Sequence, residues 1–167
     1  MNKVLIILSL CVCIFAGCKK VDDPAVVNSN QSAIDDQLIT DYITANNLTA
    51  EKLSPSDTTG IRYIVLQKGT TSSVYTSSTQ ITVGYSAYKL GSSTSFQQTG
   101  TYHPSFALGE VIKGWQLVLQ KGVVNKGGTI RIFIPSRYAY GPYAQTELGL
   151  PANTVLDFTI TIFDVTN

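Results

Sequence analysis

Aromatic and apolar side chains stand beside turn residues in four segments of this sequence: Val83-Gly84-Tyr85, Gly109-Glu110-Val111-Ile112-Lys113-Gly114-Trp115, Ile134-Pro135-Ser136-Arg137-Tyr138-Ala139-Tyr140-Gly141 and Leu150-Pro151-Ala152-Asn153. Rings held at turns can converge on a slot with few charges. Such a slot acts on a ligand without a covalent partner, by excluding water and placing donors. Metal chemistry has little to work with: His103 is the only histidine, so it has no companions for a cluster and is expected as an ordinary solvated loop residue. Tyr143, just past Gly141, is either a ligand contact or an exposed loop ring.

The elements that must position these residues follow from two periodicities. Ser32 is a candidate N-cap, Asp35 and Asp36 suit the first turn of a helix, and Ile34, Leu38 and Tyr42 with Ile39 and Ile43 make an apolar stripe. This predicts a helix from about Ser32 to Ala45. The stripe admits two readings, packing on its own domain or serving as a dimer or partner face. Asn46 to Thr58 is expected as a linker. From Gly60 onward the period becomes two: Ile61-Tyr63-Val65, Ile81-Val83-Tyr85, Ile130-Ile132-Ile134 and Leu156-Phe158-Ile160-Ile162 alternate with polar or small neighbours. Between them, Ile112, Trp115, Val118 and Leu119 share one side of a short helix within Val111 to Gln120 that ends near Gly122. A sheet with one apolar face and one short helix to cover it is an α+β domain, here of about five antiparallel strands with an N-terminal helical extension.

The N-terminus is an address. Lys3 precedes an apolar run from Val4 to Ala16 that is too short to span a bilayer. Phe15-Ala16-Gly17-Cys18 resembles the lipobox at which bacterial lipoprotein signals are cut and the new N-terminal cysteine is acylated. That resemblance implies cleavage after residue 17, a lipid on Cys18 and an envelope location, with the outer membrane as the expected site. Cys11 and Cys13 are then discarded, and the folded part has neither a free thiol nor a disulfide. Loss of Lys3 brings the twelve basic residues to eleven, equal to the eleven acids. A formally neutral chain without a basic stripe is not built for nucleic acid. The expected organisation is a signal peptide over 1–17, a tether over 18–31, helix and linker over 32–58, and one domain over 59–167.

The four segments, in this order, resemble the FKBP family of peptidyl-prolyl cis/trans isomerases over about Thr59 to Asn167. Leu-Gly-x-Val-Ile-x-Gly-Trp at 108–115, Ile-Pro-x-x-Tyr-Ala-Tyr-Gly at 134–141 and Leu-Pro-x-Asn at 150–153 before a hydrophobic strand carry the likeness. The resemblance implies that Tyr85 and Phe96 wall a proline-binding groove and that Trp115 forms its floor. It further implies Phe106 and Phe158 as additional rings, Val111 and Ile112 as a flap whose Ile112 N–H meets a substrate carbonyl, Tyr140 as a hydroxyl within reach of the substrate backbone, and Leu150 as an aliphatic rim. No cofactor is implied, and the partners are proline-containing polypeptide segments.

The reaction suits such residues. An X-Pro bond isomerises by losing amide resonance against a barrier of about 20 kcal/mol, with no nucleophile or metal. A dry aromatic cavity disfavours the planar, charge-separated amide more than the twisted one. The chain departs from the family pattern at Gln97, where an acid usually follows the phenylalanine, at Pro104, at the turn Leu90-Gly91-Ser92 and in extra residues around Val123 to Lys126. An amide at position 97 accepts a hydrogen bond but brings no charge. A catalytically weak peptide-binding or chaperone lipoprotein is therefore the alternative reading, and a structural envelope domain reusing the fold is a third.

Overall fold

A computed structural model describes residues 24–70 and 74–167, with side chains from Ser29 onward. The expected export signal, the acylated Cys18 and the start of the tether lie outside the described residues. The elements are α1 (Pro24–Ala45), β1 (Arg62–Gln67), β2 (Gln80–Lys89), β3 (Ser95–Gln98), β4 (Ser105–Ala107), α2 (Lys113–Leu119), β5 (Thr129–Ile134) and β6 (Leu156–Thr166). They form one antiparallel sheet in the order β1-β5-β6-β2-β3, and β4 pairs with the first part of β2. The four strands expected from alternation are all present. β3 and β4 are additional, too short and too polar to carry a period.

Alternation does the sorting that one buried face requires. Ile81 and Val83, Ile130, Ile132 and Ile134, and Leu156, Phe158, Ile160 and Ile162 are buried together under α2, which contributes Trp115, Val118 and Leu119. Fully burying each such aliphatic side chain is worth roughly 1.5–3 kcal/mol. The helix sits so close that a Cβ on Gly114 would stand 2.5 Å from Ile134 Cγ2, so glycine is required there. Past α2 the chain turns at Gly122 (φ 66°), where the stop was expected.

α1 covers the opposite face and corrects the expectation in three respects. It is helical from Pro24, so the latter part of the expected tether is helix and Ser32 lies inside it instead of capping it. Proline suits a first helical turn, where its missing N–H goes unused. Ile34 and Leu38 are about half exposed, at 52% and 49%, whereas Asp35 and Ile39 are buried. Ile39 packs with Phe133 and Val155, and Tyr42 and Ile43 close over that cluster. Asp35 and Asp36 lie well past the first turn and answer protein donors, not the helix dipole: Ser136 donates to Asp35 and Arg137 to Asp36.

Residues 46–58 are ordered as well, and so are not a free linker. Leu48 and Ala50 pack under α1, Leu53 reaches the main core, and Glu51 exchanges backbone hydrogen bonds with Tyr63 at 2.8 and 3.0 Å. At the end of this segment Gly60 adopts φ 76°, and a Cβ there would fall 1.9 Å from Asp36 Oδ1. Glycine is what lets α1 approach.

Candidate functional site

The cavity opens where β2, β6 and α2 meet. Tyr85 on β2 and Phe158 on β6 project from the same face, since Ala87 stands opposite Phe158 and Tyr85 opposite Ile160. Trp115 rises from α2 beneath them. The indole meets Tyr85 at 5.4 Å and Phe158 at 5.2 Å between ring centroids, both near perpendicular, and Tyr85 and Phe158 are 6.2 Å apart. Edge-to-face contacts of this kind add about 0.5–1.5 kcal/mol per pair beyond burial, and they fix ring orientation. Trp115 is 3% exposed and its Nε1–H has no partner among the described residues.

Phe106, Val111, Ile112, Tyr140, Gln97 and Glu110 complete a cavity of about 360 Å³. Of the residues expected at the groove, Tyr85, Trp115, Tyr140, Phe106, Val111, Ile112, Phe158 and Gln97 therefore line one space. Phe96 and Leu150 do not. The β2–β3 pairing shifts between Ala87/Gln97 and Tyr88/Ser95, leaving Phe96 as the extra residue of a bulge. Gln97 lines the cavity, and Phe96 meets the Phe158 ring edge-on at 6.1 Å. Leu150, expected as a rim, is 2% exposed and belongs to the core. Its backbone closes a bridge with Gln145 at 2.8 and 3.0 Å.

The flap is built by an extended lead-in to α2. Val111 and Ile112 have ψ of 168° and 147°, so neither is helical, and the Ile112 carbonyl accepts the first helical N–H, from Trp115, at 3.0 Å. The Ile112 N–H has no acceptor among the described residues and stays available to a ligand carbonyl. One side chain ties this segment down. Gln116 Nε2 donates to the carbonyls of Val111 at 2.7 Å and Gly109 at 3.1 Å.

Tyr140 is set by a tight turn. The Ser136 carbonyl accepts N–H bonds from Ala139 (2.9 Å) and Gly141 (2.8 Å), one on each side of Tyr140, and Gly141 in turn accepts from Asn153 N (2.8 Å). Burial pushes the Tyr140 hydroxyl above its ordinary pKa, and burial with the neighbouring Tyr140 does the same to Tyr85. Both phenols thus keep their protons at neutral pH and can donate.

Glu110 was not foreseen. An exposed acid beside a turn looks like solvation, and the available signal was its place directly before the Val111-Ile112 flap. It is the one charged residue among those lining the cavity. Two residues weighed from the sequence lie elsewhere: His103 stacks on Phe163 at 3.8 Å, and Tyr143 is 73% exposed.

An antiparallel sheet wrapped on one short helix, with a ring-walled cavity at their junction, is the architecture of an FKBP-type domain. The sequence model described as FKBP-type peptidyl-prolyl cis-trans isomerase matches residues 72–163, and the chain belongs to that family. FKBP-type peptidyl-prolyl cis-trans isomerase FkpA of Buchnera aphidicola subsp. Schizaphis graminum is 31% identical over 109 residues, covering 65% of this chain and 42% of that protein. A peptidyl-prolyl cis-trans isomerase of Saccharomyces cerevisiae is 42% identical over 59 residues, 35% of this chain and 13% of that one. The chain thus spans less than half the length of these curated relatives. Among solved structures, FkpA from Escherichia coli has a TM-score of 0.62 at 25% identity, covering 85% of this chain and 63% of that chain. A peptidyl-prolyl cis-trans isomerase from Pseudomonas syringae pv. tomato, at 24% identity, shares the fold with a TM-score of 0.67 over 87% of this chain and 98% of its own.

Proposed function

We propose that this chain is a lipid-anchored envelope protein that seats X-Pro segments of exported polypeptides in the Tyr85-Trp115-Phe158 cavity and accelerates their cis/trans isomerisation. One observation carries the reading: rings from β2, β4, α2, β6 and the turn after β5 line a single space beside an unused backbone donor at Ile112. The pyrrolidine rests over the Trp115 indole. The Ile112 N–H holds a carbonyl on one side of the bond, and the Tyr140 hydroxyl meets the backbone on the other. Phe106, Phe158 and Val111 exclude water, so the planar amide with its separated charge loses solvation that the twisted amide needs less. The export signal and Cys18 supply the anchor in this reading. Ile34 and Leu38, exposed on the outer side of α1, offer a face to a second copy, which sedimentation equilibrium tests directly.

A protease-coupled assay on a proline tetrapeptide tests the activity. Isomerisation above the uncatalysed rate is expected, and Tyr140→Phe and Trp115→Ala are expected to lower it. Unchanged rates in both variants remove the groove assignment.

Gln97 favours a second reading, in which the same cavity binds peptide with little catalysis, because an amide replaces the carboxylate usual in the family at a residue that lines the cavity. Gln97→Asp separates the two. A large gain in rate supports a weakened site, and high activity of the unmodified protein dismisses it.

A further inference from the structure

We propose that the N-terminal helix is part of the catalytic apparatus, with Asp35 acting as a positioning residue for Tyr140. This rests on the placement of Tyr140 in the groove described above. Asp35 is fully buried, and its Oδ2 accepts the Ser136 backbone N–H at 2.8 Å and the Ser136 hydroxyl at 2.7 Å. Its other oxygen accepts Gln31 Nε2 at 2.8 Å. Ser136 is itself 1% exposed, and its carbonyl receives the N–H groups of Ala139 and Gly141, the two neighbours of Tyr140. A continuous path of hydrogen bonds therefore runs from a carboxylate on α1 to the backbone that aims the phenol.

Removing a carboxylate from water is costly, and it is retained only where several donors meet it. An apolar residue at position 35 would leave the buried Ser136 N–H and hydroxyl without their acceptor, a costly state for buried donors, and would leave the turn without a fixed direction. A second anchor secures the first. Arg137 Nη2 donates to Asp36 Oδ1 at 2.8 Å and to the Thr59 carbonyl, and Nη1 reaches the Ser32 carbonyl at 3.3 Å. One guanidinium so fastens the turn to two positions of α1 and to the segment before β1. Only the turn that carries Tyr140 is held in this way. The Trp115 floor and the Ile112 flap belong to α2 and its lead-in, and the α1 anchors reach neither.

The test uses the full chain with Asp35→Ala, Asp35→Asn and Ser136→Ala. Asp35→Ala is expected to lower kcat/KM about tenfold, the loss typical of a misaimed group, while peptide affinity by NMR titration changes less than about twofold. Asp35→Asn keeps an acceptor for Ser136 and recovers most of the loss. In a Tyr140→Phe background Asp35→Ala costs nothing further, because the group it aims is gone. Equal losses in both backgrounds make Asp35 a merely structural residue and overturn the proposal. A second measurement stands apart from catalysis: the Tyr140 ring resonances shift in Ser136→Ala, which loses the hydroxyl bond to Asp35 and retains the backbone one, while the Trp115 indole signal stays in place. If the unmodified chain has no isomerase activity, the functional reading fails, yet Tyr140 signals that do not move still decide against the coupling.

Discussion

The two faces of the sheet are held by different physics. Beneath α2 the contact is aliphatic and aromatic, with Ile81, Val83, Ile130, Ile132, Ile134 and Ile160 all fully buried. Beneath α1 the apolar part shrinks to Ile39, Phe133 and Val155, and directional bonds do the rest. Arg131 pairs with Asp157 through two bonds of 3.0 and 2.6 Å, donates to the Tyr42 hydroxyl at 3.0 Å, and lies over the Phe133 ring at 4.8 Å. Hydrophobic burial has no preferred direction, so on the α2 face strand register follows from which side chains face inward, and orientation from close packing and edge-to-face rings. Hydrogen bonds fail within a few tenths of an ångström. The α2 face thus brings the cavity walls together by packing, while the α1 face fixes one turn through directional bonds.

The largest effect that can break this contrast comes from matched truncations of buried rings. Trp115→Ala and Phe133→Ala are each expected to destabilise by about 3–5 kcal/mol in urea titration. Only the first should abolish peptide binding; loss of binding in Phe133→Ala would mean that the faces are not separable. Next, Asp157→Ala strips Arg131 of its bidentate partner at a site where the side chain is 24% exposed. Partial screening brings the expected cost to about 1–2 kcal/mol. Gly60→Ala puts a methyl group into Asp36 and asks alanine to adopt positive φ, for about 1–3 kcal/mol and a weakened α1 anchor. A melting curve that matches the unmodified protein would show that α1 approaches by another route.

The smallest effect lies on the α2 side. The Tyr75 hydroxyl is buried without a partner among the described residues, and burial pushes its pKa up to about 12. Tyr75→Phe is expected to be neutral or to stabilise by up to about 1 kcal/mol. The folded state keeps this proton in a range where the unfolded chain, with an ordinary phenol near 10, has lost it. Stability is thus intact below pH 10 and falls as pH rises from about 10 toward 12. Tyr75→Phe should flatten that part of the profile, leaving the contribution of the other buried phenols.

The same contrast explains what the sequence made legible. Apolar periodicity located the face under α2 and the four long strands, because that face is built by burial alone. It misplaced α1. The buried positions there include Asp35, whose partner Ser136 lies 101 residues away, and a stripe rule looking for apolar residues grouped the exposed Ile34 and Leu38 with the buried Ile39, leaving own-domain packing and a partner face both open. β3 and β4 escaped for a related reason: their pairing follows from the edge offered by β2, not from their own four and three residues. At the site, most of the residues named from motif order line one cavity. Phe96 and Leu150 lie outside that lining, at a bulge and at a local backbone bridge, neither visible in residue type.

Trp115 is the single tryptophan of the chain. Its indole sits at the base of the cavity between two other rings, so emission excited at the red edge, where the nine tyrosines do not absorb, has one source, located at the proposed groove. Any occupant changes the polarity and quenching around that one fluorophore. Affinities, exchange rates and the consequences of every substitution named above except Trp115→Ala can therefore be followed optically in unlabelled material, without a reporter added to the groove.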